Sequence, residues 1–178
     1  MRLFFAVLPD PDAALQLAAC TANSQIRNPA RVVPLENLHV TLAFVGSVKP
    51  DALVAVRGLG AGISAGSAPL CVDRLEWWSE AQVLVGSAHA PPALKALAEE
   101  LRQALTAVGY SDPKPWRAHV TLARKVLQPP VLQAMSPICW HPKEFALMQS
   151  ARGDRGSVYT VVDTWPLLDE SAAAAKSR

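Results

Sequence analysis

The sequence carries no large excess of either charge. Its formal net charge is +2 over 178 residues, which excludes a protein that coats nucleic acid along its length and leaves room for a local basic site facing a few phosphates. Cysteine is scarce as well. Cys20, Cys71 and Cys139 are odd in number, far apart and free of any Cys-x-x-Cys pair, so neither a disulfide framework nor a cysteine-built zinc centre is expected, and a reducing cytoplasm suits them best. No stretch approaches the roughly 18 uncharged apolar residues of a membrane span. The nearest imitation of a leader is Arg2, the run Leu3 to Leu8 and then Leu17-Ala-Ala-Cys20, but Asp10, Pro11 and Asp12 interrupt it. The unbroken run falls short of the ~7–15 apolar residues that a signal segment needs. A heptad pattern is also missing, which makes a monomer the expectation. A metal set drawn from His39, His119, Cys139 and His141 lacks the close ligand spacing of zinc motifs, and neither a metal nor a cofactor is expected.

What is present is the composition of a globular protein: 51% hydrophobic and 18% charged residues, enough to bury a core in one domain or in two small lobes sharing a cleft. Residues 170–178, Glu-Ser-Ala-Ala-Ala-Ala-Lys-Ser-Arg, form the one stretch expected to be a loose tail, leaving 1–169 as the domain. Apolar runs rich in β-formers predict strands at Leu3–Leu8, Leu38–Val45, Leu70–Trp78, Gln82–Ser87, Ala118 to about Arg124, Glu144–Ser150 and Ser157–Val162. Helices are predicted from about Pro11 to Ile26, from Asp51 to about Ile63, and from Pro91 to Val108. In the last, Pro91 and Pro92 suit the first turn, Leu94, Leu97, Leu101 and Leu105 form one stripe, and Gly109 stops it. With hairpin-like neighbours and three helices, an α+β architecture of two similar, mostly antiparallel lobes is favoured over a doubly wound parallel sheet.

The strongest signal is a repeat. His39-Val-Thr-Leu-Ala43 returns unchanged as His119-Val-Thr-Leu-Ala123, 80 residues later (119 − 39), which points to duplication of a lobe. In a strand, side chains alternate, so His39 and Thr41 share one face, as do His119 and Thr121, while Val40, Leu42, Val120 and Leu122 face the core. Two such strands brought together would present two imidazoles and two hydroxyls to one cleft. One neutral imidazole can take a proton and a protonated one can give it. Histidine titrates near neutrality, and threonine hydroxyls can donate to phosphate oxygens. The set suits phosphoryl transfer without a metal.

These repeats resemble the paired His-x-Thr-hydrophobic motifs of the two-histidine (2H) phosphoesterases. The closer likeness is to the RNA 2′,3′-cyclic phosphodiesterases, also known as 2′-5′ RNA ligase-like proteins. It is carried by Arg2-Leu-Phe-Phe-Ala-Val-Leu8, His39-Val-Thr-Leu-Ala-Phe-Val-Gly46 and Pro115-Trp-Arg-Ala-His-Val-Thr-Leu-Ala-Arg-Lys125. The resemblance implies a bilobal α+β fold with outer helices around a central cleft. It implies hydrolysis of a terminal 2′,3′-cyclic phosphate to a 2′-phosphomonoester, with the reverse ligation in some relatives. By similarity His39 protonates the departing 3′ oxygen and His119 activates water, although the residues alone permit the opposite assignment. Thr41, Thr121 and Arg124 hold the phosphate.

Two positions depart from the family pattern: Ala118 stands where proline is frequent and Trp116 where phenylalanine is common. Trp116 is a candidate for stacking on a nucleobase, against packing between its flanking prolines. Strict alternation puts Lys125, not Arg124, on the histidine face, and a bulge or the strand's end after Ala123 would resolve the conflict. Arg117, Arg124, Lys125, Arg152 and Arg155 concentrate positive charge in the second half, and Arg152–Gly156 reads as a loop able to reach an RNA backbone. Trp77, Trp78, Trp140 and Trp165 are assigned to the core and lobe junction, His89 and His141 to surface or structural roles. The competing functions are a 2H enzyme for another cyclic nucleotide or an ADP-ribose cyclic phosphate, and a module that binds RNA ends or nucleotides without turnover.

Overall fold

In the computed structural model, which describes residues 1–27, 29–112, 114–153 and 156–169, the chain forms eleven strands and three α-helices. The strands are β1 (Arg2–Val7), β2 (Arg31–Val32), β3 (Val40–Ser47), β4 (Gly66–Ser67), β5 (Leu70–Trp78), β6 (Val83–His89), β7 (His119–Arg124), β8 (Ile138–Trp140), β9 (Glu144–Gly153), β10 (Gly156–Pro166) and β11 (Leu168–Asp169). The helices are α1 (Pro11–Asn23), α2 (Leu53–Ala61) and α3 (Pro92–Ala107). Nine strands make one antiparallel sheet in the order β10-β9-β1-β3-β7-β6-β5-β8, with β2 added on β7, while β11 and β4 form a separate parallel pair. The two expected lobes are therefore the halves of one continuous sheet, joined where β3 meets β7 at the pair Val40–Val120.

Local chemistry explains the helices. The Asp10 carboxylate caps α1 by accepting from the Ala13 N–H at 2.8 Å, with Pro11 at the first position, satisfying a donor the helix cannot. The predicted leucine stripe of α3 is buried along its whole length, and Gly109 follows at φ +89°, a conformation that favours glycine. The second helix starts later than its sequence pattern indicates, because Pro50–Ala52 winds as a 3₁₀ turn first. Four short strands, β2, β4, β8 and β11, have no periodic pattern long enough to read.

The helices cross between halves. α1, which follows the first strand of one half, packs on β7 and β8 of the other, and α3, which follows β6, packs on β3 and α2. All three cover one face of the sheet, burying Phe5, Leu17, Leu42, Leu101, Leu122 and Phe145 in a common core. The opposite face carries only a small apolar floor, Phe4, Ala6, Ala146 and Met148 with Leu8 and Tyr159 packed on it, and is left open for chemistry.

One expectation is overturned. Cys71 on β5 and Cys139 on the edge strand β8 sit directly opposite each other, Cα atoms 4.1 Å apart, and are joined as a disulfide. Their separation of 68 residues hides a cross-strand pairing that only the sheet register creates. The bond closes a long loop and staples β8 to the sheet. Cys20 is the free thiol.

Gly60 of α2 is where that helix docks on β10. A Cβ there would stand 2.6 Å from the Trp165 ring, a rigid neighbour wedged against Phe5 and Phe145. Gly60→Ala is expected to destabilise the fold by ~1–3 kcal/mol through overpacking, in spite of alanine's better helix propensity. Urea unfolding compared with Gly58→Ala, whose site is open, measures it; equal midpoints would contradict the close approach.

Candidate active site

The two motif copies fold alike down to an irregularity. Against β1, Phe5 pairs with Ala43 and Ala6 with Thr41, so Leu42 is an extra residue in β3. Against β6, Leu84 pairs with Ala123 and Val85 with Thr121, so Leu122 is extra in β7. At both places consecutive leucine and alanine are buried. The bulge resets the alternation, so that the fifth residue after each histidine returns to the histidine face. In the first copy this residue is Phe44, 51% exposed. In the second it is Arg124, whose positive charge acts on both imidazoles. This bulge resolves the conflict over Arg124.

The Val40–Val120 pair brings the copies together. Antiparallel register there sets Thr41 across from His119 and His39 across from Thr121. The five sequence-assigned residues His39, Thr41, His119, Thr121 and Arg124 are thereby gathered on one face at the junction. His39 Nδ1 lies 2.7 Å from the Asn37 carbonyl, and His119 Nδ1 lies 2.7 Å from the Arg117 carbonyl. A carbonyl only accepts, so Nδ1 carries the proton in both rings, and each Nε2 is left to the cleft. Asn37 is itself anchored, its amide donating to the Ser157 carbonyl at 2.8 Å.

The surroundings of the two rings differ. His39 stands on the apolar floor, 4.8 Å from the Phe4 ring and edge-on to Tyr159 at 5.2 Å. Burial, joined by the charges of Arg124 and His119 and opposed by the Asn37 bond, pushes its pKa down to about 4. The His119 ring lies 4.6 Å from that of Trp78, and the Arg117 guanidinium lies over the same indole, 4.5 Å from its centroid. Burial lowers this pKa too, helped by Arg117 and Arg124, while the Arg117 carbonyl and the Glu76 charge act upward.

Glu76 on β5 organises the His119 side. It accepts from Trp78 Nε1 at 2.8 Å, Arg74 Nε at 2.9 Å and Arg117 at 3.0 Å. Partial burial pushes its carboxyl upward, but these bonds and that of Ser87, with the Arg117 charge, hold it at about 2. Sequence reading missed Glu76, Trp78 and Tyr159. The available signal was alternation on β5, which puts Glu76 and Trp78 on one face, but no twin exists in the other half to mark them. Trp77 and Trp165 do pack against the core and Trp140 is buried in it. Trp116 is half-buried, and its indole N–H donates to the Thr41 carbonyl at 2.8 Å, which fastens the ring to the free edge of β3. Arg155 lies outside the described residues. Among those described, no three His, Cys, Asp or Glu side chains converge as metal ligands.

The model of the family described as LigT like phosphoesterase matches residues 7–84. An RNA 2′,3′-cyclic phosphodiesterase of Thermus thermophilus is 32% identical, covering 96% of this chain and 92% of that protein. A protein of the same description from Escherichia coli is 28% identical over 93% and 96%. Among solved structures, E. coli LigT complexed with 3′-AMP superposes with a TM-score of 0.84 at 29% identity, covering 93% of this chain and 97% of that one. TT0787 of Thermus thermophilus gives 0.81 at 28% identity, over 96% and 100%.

NMR titration tests the electrostatics. His39 is expected to titrate near pH 4 and His119 below 6.5. Glu76→Gln removes the negative charge that favours the His119 cation and should lower that pKa further without moving that of His39; an unchanged or raised His119 pKa would contradict the role given to Glu76.

Proposed function

The chain belongs to the LigT-like phosphoesterase family, and from that premise we propose that it opens a 2′,3′-cyclic phosphate at the end of an RNA to leave a 2′-phosphomonoester. The observation that carries this reading is the duplicated His-x-Thr site at the Val40–Val120 junction, with Nδ1 of each ring tied to the backbone and neither Nε2 hydrogen-bonded among the described residues. The relatives named above, one of them solved with a bound 3′-nucleotide, support it.

In this reading water attacks phosphorus, giving a proton to one imidazole, while the P–O3′ bond breaks and the leaving oxygen takes a proton from the other. The charge is conserved: one ring ends protonated, the other neutral. Similarity gives the acid role to His39 and the base role to His119. Thr41 and Thr121 donate to the non-bridging oxygens, and Arg124 stabilises the charge that builds on them. Phe44, half-exposed on the same face, offers its ring to the terminal sugar or base. Burial leaves both rings neutral in the free protein at pH 7, so the reactive state needs the substrate's negative charge, which raises both pKa values.

Incubation of an oligoribonucleotide ending in a 2′,3′-cyclic phosphate, in the presence of a chelator, is expected to yield a 2′-phosphate end. His39→Ala and His119→Ala should each lose about 10²–10⁴-fold in rate. An intact cyclic end with the unmodified protein would remove the reading, and a 3′-phosphate product would overturn the bond assigned to cleavage.

The pH dependence of kcat/KM follows from the free-protein pKa values. One ring must be neutral and the other protonated, and both titrate below 6.5. The profile should therefore be a bell with its acid limb near pH 4 and its alkaline limb below 6.5, already falling between pH 7 and 8. The kcat profile should lie at higher pH than that of kcat/KM. A kcat/KM plateau extending through pH 8 would contradict this.

A further inference from the structure

A cavity of about 470 Å³ opens beside the catalytic junction, within the ~300–1,000 Å³ typical of small-ligand sites. Its walls are continuous with His119. Ser87, in its lining, is the residue opposite His119 in the β6–β7 register, and Arg117 and Ala118, also in the lining, immediately precede it. Four alanines and the Trp116 ring supply small and flat apolar surface, while Arg74, Lys95, Arg117 and His89 line it with nitrogen donors against a single lining carboxylate, Glu99. Arg74 and Arg117 share Glu76, but Lys95 enters no ion pair among the described residues.

We propose that this cavity seats the RNA nucleotide immediately upstream of the reacting end, with Lys95 and Arg117 on the phosphate that links the two. This rests on the RNA-end reading above and extends it from a terminal group to a strand. An RNA 3′ end continues in one direction only, so a cleft that processes it needs a path for the preceding phosphodiester. The cavity combines contiguity with His119, cationic donors and a flat apolar wall, the features that hold a single-stranded nucleotide. A mononucleotide cyclic phosphate would leave it empty.

The test is equilibrium binding, by calorimetry at low salt, of a nucleoside 2′-phosphate and of a dinucleotide ending in the same 2′-phosphate. The unmodified protein is expected to bind the dinucleotide about tenfold more tightly, as one added charge-assisted contact implies. Lys95→Glu should collapse that ratio toward one, and Lys95→Arg should keep it. Circular dichroism checks that the exposed substitution leaves the fold intact. Equal affinities in the unmodified protein, or a ratio that survives Lys95→Glu, would overturn the subsite. Failure to bind either ligand would overturn the RNA-end reading and this inference together, a pattern distinct from loss of length discrimination alone.

Discussion

Everything at the site depends on one antiparallel residue pair. Val40 and Val120 are the only partners joining the two halves of the large sheet among the described residues, and both are fully buried. Each is flanked by a histidine on one side and a threonine on the other. A slip of one residue in either strand would turn its imidazole into the core and its valine into the cleft, because side chains alternate across a strand. The apolar residues that hold the halves together are thus the same ones that aim the polar groups.

The two imidazoles share a backbone anchor but not an environment. Both copies make the same Nδ1 bond to the carbonyl two residues back, although the residues that supply it, Asn37 and Arg117, differ. The neighbours come from non-repeated strands: β1 and β10 supply Phe4 and Tyr159 to His39, whereas β5 supplies Trp78 and Glu76 to His119. Duplication gives two equivalent imidazoles, and the unshared strands give them different surroundings. Phe44 and Arg124 continue this division at the matching place in each copy, one apolar and one cationic.

Much of this was legible from the residues. Seven strands and three helices lie close to where periodicity, proline and glycine put them, because long amphipathic segments carry their own signal. The paired motif was legible because a repeat needs no structural context. What escaped depends on long-range register. The cysteine pair is visible only once β8 lies on β5, and Glu76 gains meaning only when β5, β6 and β7 are adjacent. The four short strands owe their existence to neighbours rather than to pattern. The demand that Arg124 face the cleft left either a bulge or the strand's end after Ala123, and a bulge at Leu122 is what forms, whereas its twin at Leu42 carried no such demand.

The exchange of helices between halves makes each half depend on the other for its core. Since α1 covers strands of the second half and α3 covers a strand of the first, the apolar face of each half is closed in part by a helix that follows a strand of the other, and a cut between the halves would strip cover from both.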